Sequence, residues 1–154
     1  MPEKETLDAA KRDLREGKSP STAAGEFVRE EIDHVREGKH GARSAKQAIA
    51  IGLSKARRAG IPLSAPNPKT TSVETRRKAA RDTERGEASP ATGEEGSTKR
   101  GRARMKAMKR EPKNTVSRAA LSRQTKGAAK KRTSASRSAA AKKAARTRAR
   151  HRAA

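Results

Sequence analysis

The scarcity of large apolar side chains limits this chain more than any other feature. Of its 154 residues only 14 are Ile, Leu, Val or Phe, about 9%, well below the roughly 20% under which a highly charged chain stays disordered. Eleven of them stand at or before Leu63, and after Leu121 there are none. The rest of the hydrophobic content is almost entirely 30 Ala. One Phe, no Trp and no Tyr leave little for a large core and no series of rings on which bases could stack. The expected fold class is mostly α: a small N-terminal helical hairpin or three-helix unit, then a largely disordered, conditionally helical basic tail. A conventional enzyme domain is not expected. With no Cys there is no disulfide framework, thiolate metal site or cysteine nucleophile.

Charge sharpens this division. Lys and Arg number 40 against 17 Asp and Glu, a net charge of +23, which selects polyanionic partners. Residues 1–60 carry a net +3, residues 61–110 +7 and residues 111–154 +13. The opening MPEKETLDAAKRDLREG is charged throughout and has no apolar centre, and nowhere do 18 apolar residues run together. Neither secretion by a standard signal nor membrane spanning is expected.

Helix signals concentrate before residue 63. Ser19 followed by Pro20 reads as an N-cap with proline at the first helical position, and Gly38 as a stop. Between them Ala24, Phe27, Val28, Ile32 and Val35 share a face at spacings of three and four. Ser44 with Gln47 matches a capping box, and Gly60, Ile61 and Pro62 match a glycine-capped end. The inner face there is Ala45, Ala48, Ile49, Leu53 and Ala56. A weaker helix through Leu7, Ala10 and Leu14 precedes both. The expected elements are helices over about 6–16, 20–37 and 45–59 in a unit spanning 1–63. A 64–98 linker follows with a weak helix over about 72–85, opened by Thr71 and Glu74. A 99–154 basic low-complexity tail completes the chain. LREGKS and VREGKH, 21 residues apart, read most simply as two basic helix ends stopped by glycine. Phe27, Val28, Ile32, Val35, Ile49 and Leu53 are the expected packing residues, and a homodimer through the N-terminal helices would cover them more fully.

The tail carries the strongest functional signal. Lys130, Lys131, Arg132, Arg137, Lys142, Lys143, Arg146, Arg148, Arg150 and Arg152 place ten positive charges in 23 residues with no acidic neighbour, and phosphate backbones are the obvious counter-surface. Lys55, Arg57, Arg58, Arg100, Arg102 and Arg104 are secondary contact candidates, although Arg57 and Arg58 also suit a helix C-terminus. GKHGAR is longer than the turn of a helix-turn-helix, so binding with little sequence preference is expected. Catalytic, cofactor and metal sites are not. GKS at Gly17–Ser19 lacks the first glycine of a phosphate-binding loop. His34 and His40 have no suitably spaced third ligand. Glu26, Glu30, Glu31, Asp33 and Glu37 lie among arginines and read as solvated ion pairs.

The stretch EFVREEIDHVREGKHGARSAKQAIAIGLSKARRAGIPL resembles a family of small, basic, uncharacterised bacterial proteins built around a KQAIAIGLSKARRAG-like segment with a Lys/Arg/Ala-rich tail. The resemblance implies a bacterial cytoplasmic origin and at most a generic DNA-binding label, with no established mechanism or catalytic residues; a DNA-binding role would place the chain at the nucleoid. The tail separately looks like those of linker-histone-like bacterial proteins. The expected function is therefore a nonenzymatic, largely sequence-nonspecific, nucleoid-associated protein whose partner is duplex DNA, with no membrane and no small-molecule substrate. The alternatives are an RNA- or ribosome-associated factor, or a stress or regulatory adaptor that uses the N-terminal helices.

Overall fold

In the computed structural model, residues 2–88 and 99–153 are described, and among them all regular structure is helical: α1 (Lys4–Arg15), α2 (Pro20–Arg36), α3 (Ala45–Arg58), α4 (Val73–Ala88), α5 (Lys99–Lys109), α6 (Arg118–Lys130) and α7 (Ser134–Ala153). The expected helices of residues 1–63 thus form within two residues of their expected ends. Glycine accounts for the stops. Gly17, Gly38 and Gly60 have φ of 72°, 77° and 82°, a region L side chains avoid. In each case the next residue's N–H reaches back five positions: Lys18 to Asp13, Lys39 to His34 and Ile61 to Ala56. These bonds close Schellman ends. The LREGKS and VREGKH echo is this shared cap.

The N-terminal signals differ in detail. Ser44 accepts from the Gln47 N–H, but the Gln47 side chain accepts from the Arg43 N–H rather than from Ser44. Ser19 and Pro20 stand where expected, yet the Ser19 hydroxyl pairs with Ser21 and Thr22 side chains and makes no cap bond. At α4 the capping hydroxyl is Ser72, accepting from the Thr75 N–H, not Thr71.

α2 packs against α1 on one side and α3 on the other, and α3 also packs against α4. Two small apolar cores result. One joins Ala10, Ala23, Ala24, Phe27, Ala56 and Ile61, flanked by Leu7, Leu14, Leu53, Ala59 and Leu63. The other joins Val35, Ala42, Ala48 and Val116, with Ile32 against it. Most members are Ala, which lets helices approach closely. At Gly52 a Cβ would stand 2.7 Å from Val28 Cα and 2.9 Å from Phe27 O, so α2 and α3 nearly touch by backbone. The two inner faces also depart from expectation. Ile51, not Ile49, is the buried isoleucine of α3, and on α2 Glu30 and Glu31 are buried while Val28 and Ile32 are only half-buried. A helix covered on two sides buries a wider arc than one apolar stripe.

Val116 comes from far along the chain. Residues 108–116 lie across the loop between α2 and α3: the Gly41 N–H donates to Met108 O and the Ala42 N–H to Pro112 O, while Thr115 Oγ1 donates to Ala42 O. A Cβ on Gly41 would collide with the Glu111 carbonyl, so this loop can hold the strap only with glycine there. Past the strap, where the sequence predicts a largely disordered tail, the chain forms α6 and α7. Alanine, the best helix former, is abundant in both, and every residue from 130 to 150 is exposed. No described helix is long and apolar enough to cross a membrane.

Candidate functional site

Two sets of side chains stand out, one buried and one fully exposed. The buried set sits on α2 between the two apolar cores. Glu31 is completely buried. Its Oε2 lies 2.7 Å from Lys55 Nζ and its Oε1 lies 3.2 Å from His40 Nε2, yet neither oxygen accepts a hydrogen bond of good geometry. Glu30, also buried, pairs with Lys55 at 3.2 Å and accepts at Oε2 from the Glu3 backbone N–H. His34 Nε2 donates to Glu3 Oε1 at 3.1 Å, and its Nδ1 lies 3.9 Å from Glu30 Oε1. His40 Nδ1 donates to the Gly41 carbonyl at 3.1 Å, and the two imidazoles meet edge to face at 6.0 Å. Lys39 closes the outer rim on Glu3 at 3.1 Å; hydrogen bonds from His34 and then Lys39 hold the Glu3 carboxyl below the usual carboxylate range.

The sequence reading of Glu30 and Glu31 as solvated ion-pair members is corrected by their burial against Lys55. Nor does sequence spacing provide a third group beside His34 and His40, but the fold supplies one. Among the described residues, Glu31, His34 and His40 bring one ligand-type atom each to within 4.8 Å of one another. The Glu-x-x-His spacing on α2 is the signal in the sequence, since i and i+3 share a helix face. The position of His40 is invisible there because it depends on the glycine-ended turn after α2.

Through Glu3, Glu30 and His34 this cluster borders a groove of about 580 Å³ between α1 and α2, also lined by Glu5, Asp8 and Asp33. The groove is predominantly acidic, the opposite of the chain's overall charge.

The exposed set is the cationic tail. Lys130, Lys131, Arg132, Arg137, Lys142, Lys143, Arg146, Arg148, Arg150 and Arg152 are all exposed, the last seven spread along the 20 residues of α7, about 30 Å of helix. Their spacing places them on all sides of the helix rather than on one stripe. The secondary candidates are divided. Lys55 is engaged with Glu30 and Glu31. Arg58 is buried, 3.5 Å from Asp82 of α4 and donating to Ser54 O. Arg57 is half-buried, and burial pushes both guanidinium groups below their usual value, Asp82 partly opposing this. Those three cations serve the fold. Arg102 and Arg104 are exposed on α5, and Arg100 shares that helix. The expected packing residues Phe27, Val28, Ile32, Val35, Ile49 and Leu53 are all buried or half-buried within one chain.

Residues 13–66 match a family of unknown function, DUF6496. The matched segment covers α2, α3 and their loop, hence Glu30, Glu31, His34, His40 and Lys55, and stops before the cationic helices. Among curated proteins and solved structures, none matches the chain.

Proposed function

We propose that this chain is a nonenzymatic, nucleoid-associated DNA-binding protein that neutralises duplex phosphates through α6 and α7. The observation that carries the reading is the absence of any acidic residue after Glu111, in a stretch of 14 Lys and Arg whose α7 members are all exposed. Cations on every side of a helix suit a groove or a bundle of backbones and carry no pattern for reading bases. In free solution mutual repulsion opposes α7; phosphate removes it, so ordering and binding are coupled. The ionic cluster of α2 and α3 consumes Lys55 and Arg58 is tied to α4, which leaves the helical unit as an anchor rather than a second DNA surface. Because Phe27 and Val35 are already covered within the chain, bridging between duplexes falls to two cationic stretches, α6–α7 and the exposed Lys106 and Lys109 of α5, instead of to paired N-terminal helices.

The test is duplex affinity across a salt series for the full chain and for a variant with Arg137, Lys142, Lys143, Arg146, Arg148, Arg150 and Arg152 all changed to Gln. Removing the seven cations should flatten the slope of log affinity against log salt by up to about 6, if each neutralises one phosphate. Equal affinity and equal slope in the two proteins would overturn the proposal. Stronger competition by structured RNA than by duplex DNA at matched salt would move the function to RNA.

A further inference from the structure

We propose that Glu31, His34 and His40 form a binding site for a divalent transition-metal ion of the zinc class. The argument rests on which atoms can donate. The Gly41 carbonyl can only accept, so the proton of a neutral His40 sits on Nδ1. Its Nε2 then points a lone pair at Glu31 Oε1 only 3.2 Å away. A metal ion between these two atoms, one belonging to a fully buried carboxylate without a hydrogen bond, would satisfy both. At His34 the Glu3 carboxylate accepts a hydrogen bond from Nε2–H, which leaves the Nδ1 lone pair for a metal. Both imidazoles are therefore fixed by an outer oxygen in the tautomer that metal-binding histidines use.

Dimensions agree. Two ligand atoms at about 2.0–2.1 Å from a tetrahedral zinc lie about 3.3 Å apart, which the His40–Glu31 pair already meets. The three ligand atoms fall within 4.8 Å of one another, so closure requires an inward movement of His34 of at most about 1.5 Å. That residue lies near the end of α2, only 13% exposed and facing the groove. Lys55 does not block the position, because it occupies Glu31 Oε2 while the metal would take Oε1. Two nitrogens and one carboxylate oxygen suit zinc, with water as the fourth ligand from the groove side. The acidic rim of that groove gives cations an entry path.

The experiment uses the full chain, freed of nucleic acid and stripped by chelator, titrated with zinc chloride and in parallel with magnesium chloride at about pH 7.5, where free imidazoles are mostly neutral. Expected are one zinc per chain and a raised melting temperature, with no effect of magnesium. His34→Ala, on a partly exposed side chain, should remove stoichiometric binding while leaving helicity unchanged. Glu3→Gln, which replaces the charged acceptor of His34 Nε2 with a neutral amide and removes the ion pair with Lys39, should weaken binding about 10–100-fold. His151→Ala should change nothing. His40→Ala should also abolish binding; if it fails to fold, His34→Ala and Glu3→Gln decide. Absence of zinc binding in the unaltered chain would overturn the site and leave a second proton on His40 as what separates the two atoms. Binding that survives His34→Ala, or that depends on His151, would overturn it equally.

Discussion

Gly52 is where one methyl group decides whether α2 and α3 can meet. Alanine in a helix interior is favoured over glycine by about 1 kcal/mol, so substitution on open surface should stabilise. At Gly52 the new Cβ would press on Val28 Cα at 2.7 Å and Phe27 O at 2.9 Å, backbone atoms that cannot swing aside, and overpacking of this kind costs about 1–3 kcal/mol or more. Gly25, on the same pair of helices, has nothing within 4 Å of its Cβ position. Gly25→Ala should therefore raise the melting temperature and Gly52→Ala lower it. Two shifts of the same sign would show that close approach of backbones does not hold this pair. Lys55 presents the electrostatic counterpart. Its ammonium is the only Lys or Arg group paired with Glu31 among the described residues, and removing one partner of a buried pair costs about 3–5 kcal/mol. Lys55→Ala should cost that much in chemical denaturation at neutral pH, a large part of the total stability of so small a unit.

At the level of elements, the turn between α1 and α2 is fastened by charge as well as by Gly17. Lys18 Nζ lies 2.7 Å from Asp13 Oδ1 and 2.8 Å from Glu16 Oε2. Hydrogen bonding to Asp13, then to Glu16, raises the lysine above its ordinary value of 10.5. A raised value in the folded state means that the contribution is fully present below pH 10.5 and is lost as pH climbs through the folded value. Lys18→Met should therefore melt lower than the unaltered chain at about pH 8, and the difference should shrink above about pH 11. A difference that stays constant over that range would remove the ion pair from the account. Helix ends such as this one are legible in the sequence because caps are local: serine before, glycine after, and no knowledge of the rest of the chain required. Which residues each helix buries is less legible. The apolar stripe on α2 points to Val28 and Ile32, but two neighbouring helices cover an arc that reaches Glu30 and Glu31, and Lys55 on α3, with the Glu3 N–H on Glu30, offsets the cost of burying them. The candidate metal ligands are hidden for the same reason: two of them share a turn of α2, and the third arrives through a loop whose path no periodicity records.

Across the whole molecule, the boundary between folded unit and cationic tail does not fall where composition changes. Charge and low complexity place it near residue 99, but the strap over residues 108–116 belongs to the helical unit. Val116 is 1% exposed in the second core, Pro112 O accepts from the Ala42 N–H, Thr115 Oγ1 donates to Ala42 O, and Arg36 reaches Val116 O at 3.3 Å. Cutting after Arg110 removes all of these. Losing the burial of one valine costs about 1.5–3 kcal/mol, and each net hydrogen bond about 0.5–1.5 kcal/mol, so the total is several kcal/mol. In a folded unit of this size that lowers the melting temperature by on the order of 10 °C or more. Cutting after Arg132 keeps every strap contact and, among the residues whose exposure is described, removes only exposed ones, so its melting temperature should match that of the full chain within a degree or two. The pair separates two meanings of a lost activity. If residues 1–132 keep their fold but lose most of the salt-dependent affinity for duplex DNA, α7 is the binding element. If residues 1–132 also melt early, α7 is supporting the fold, and charge on that helix has to be tested by the seven Gln substitutions alone.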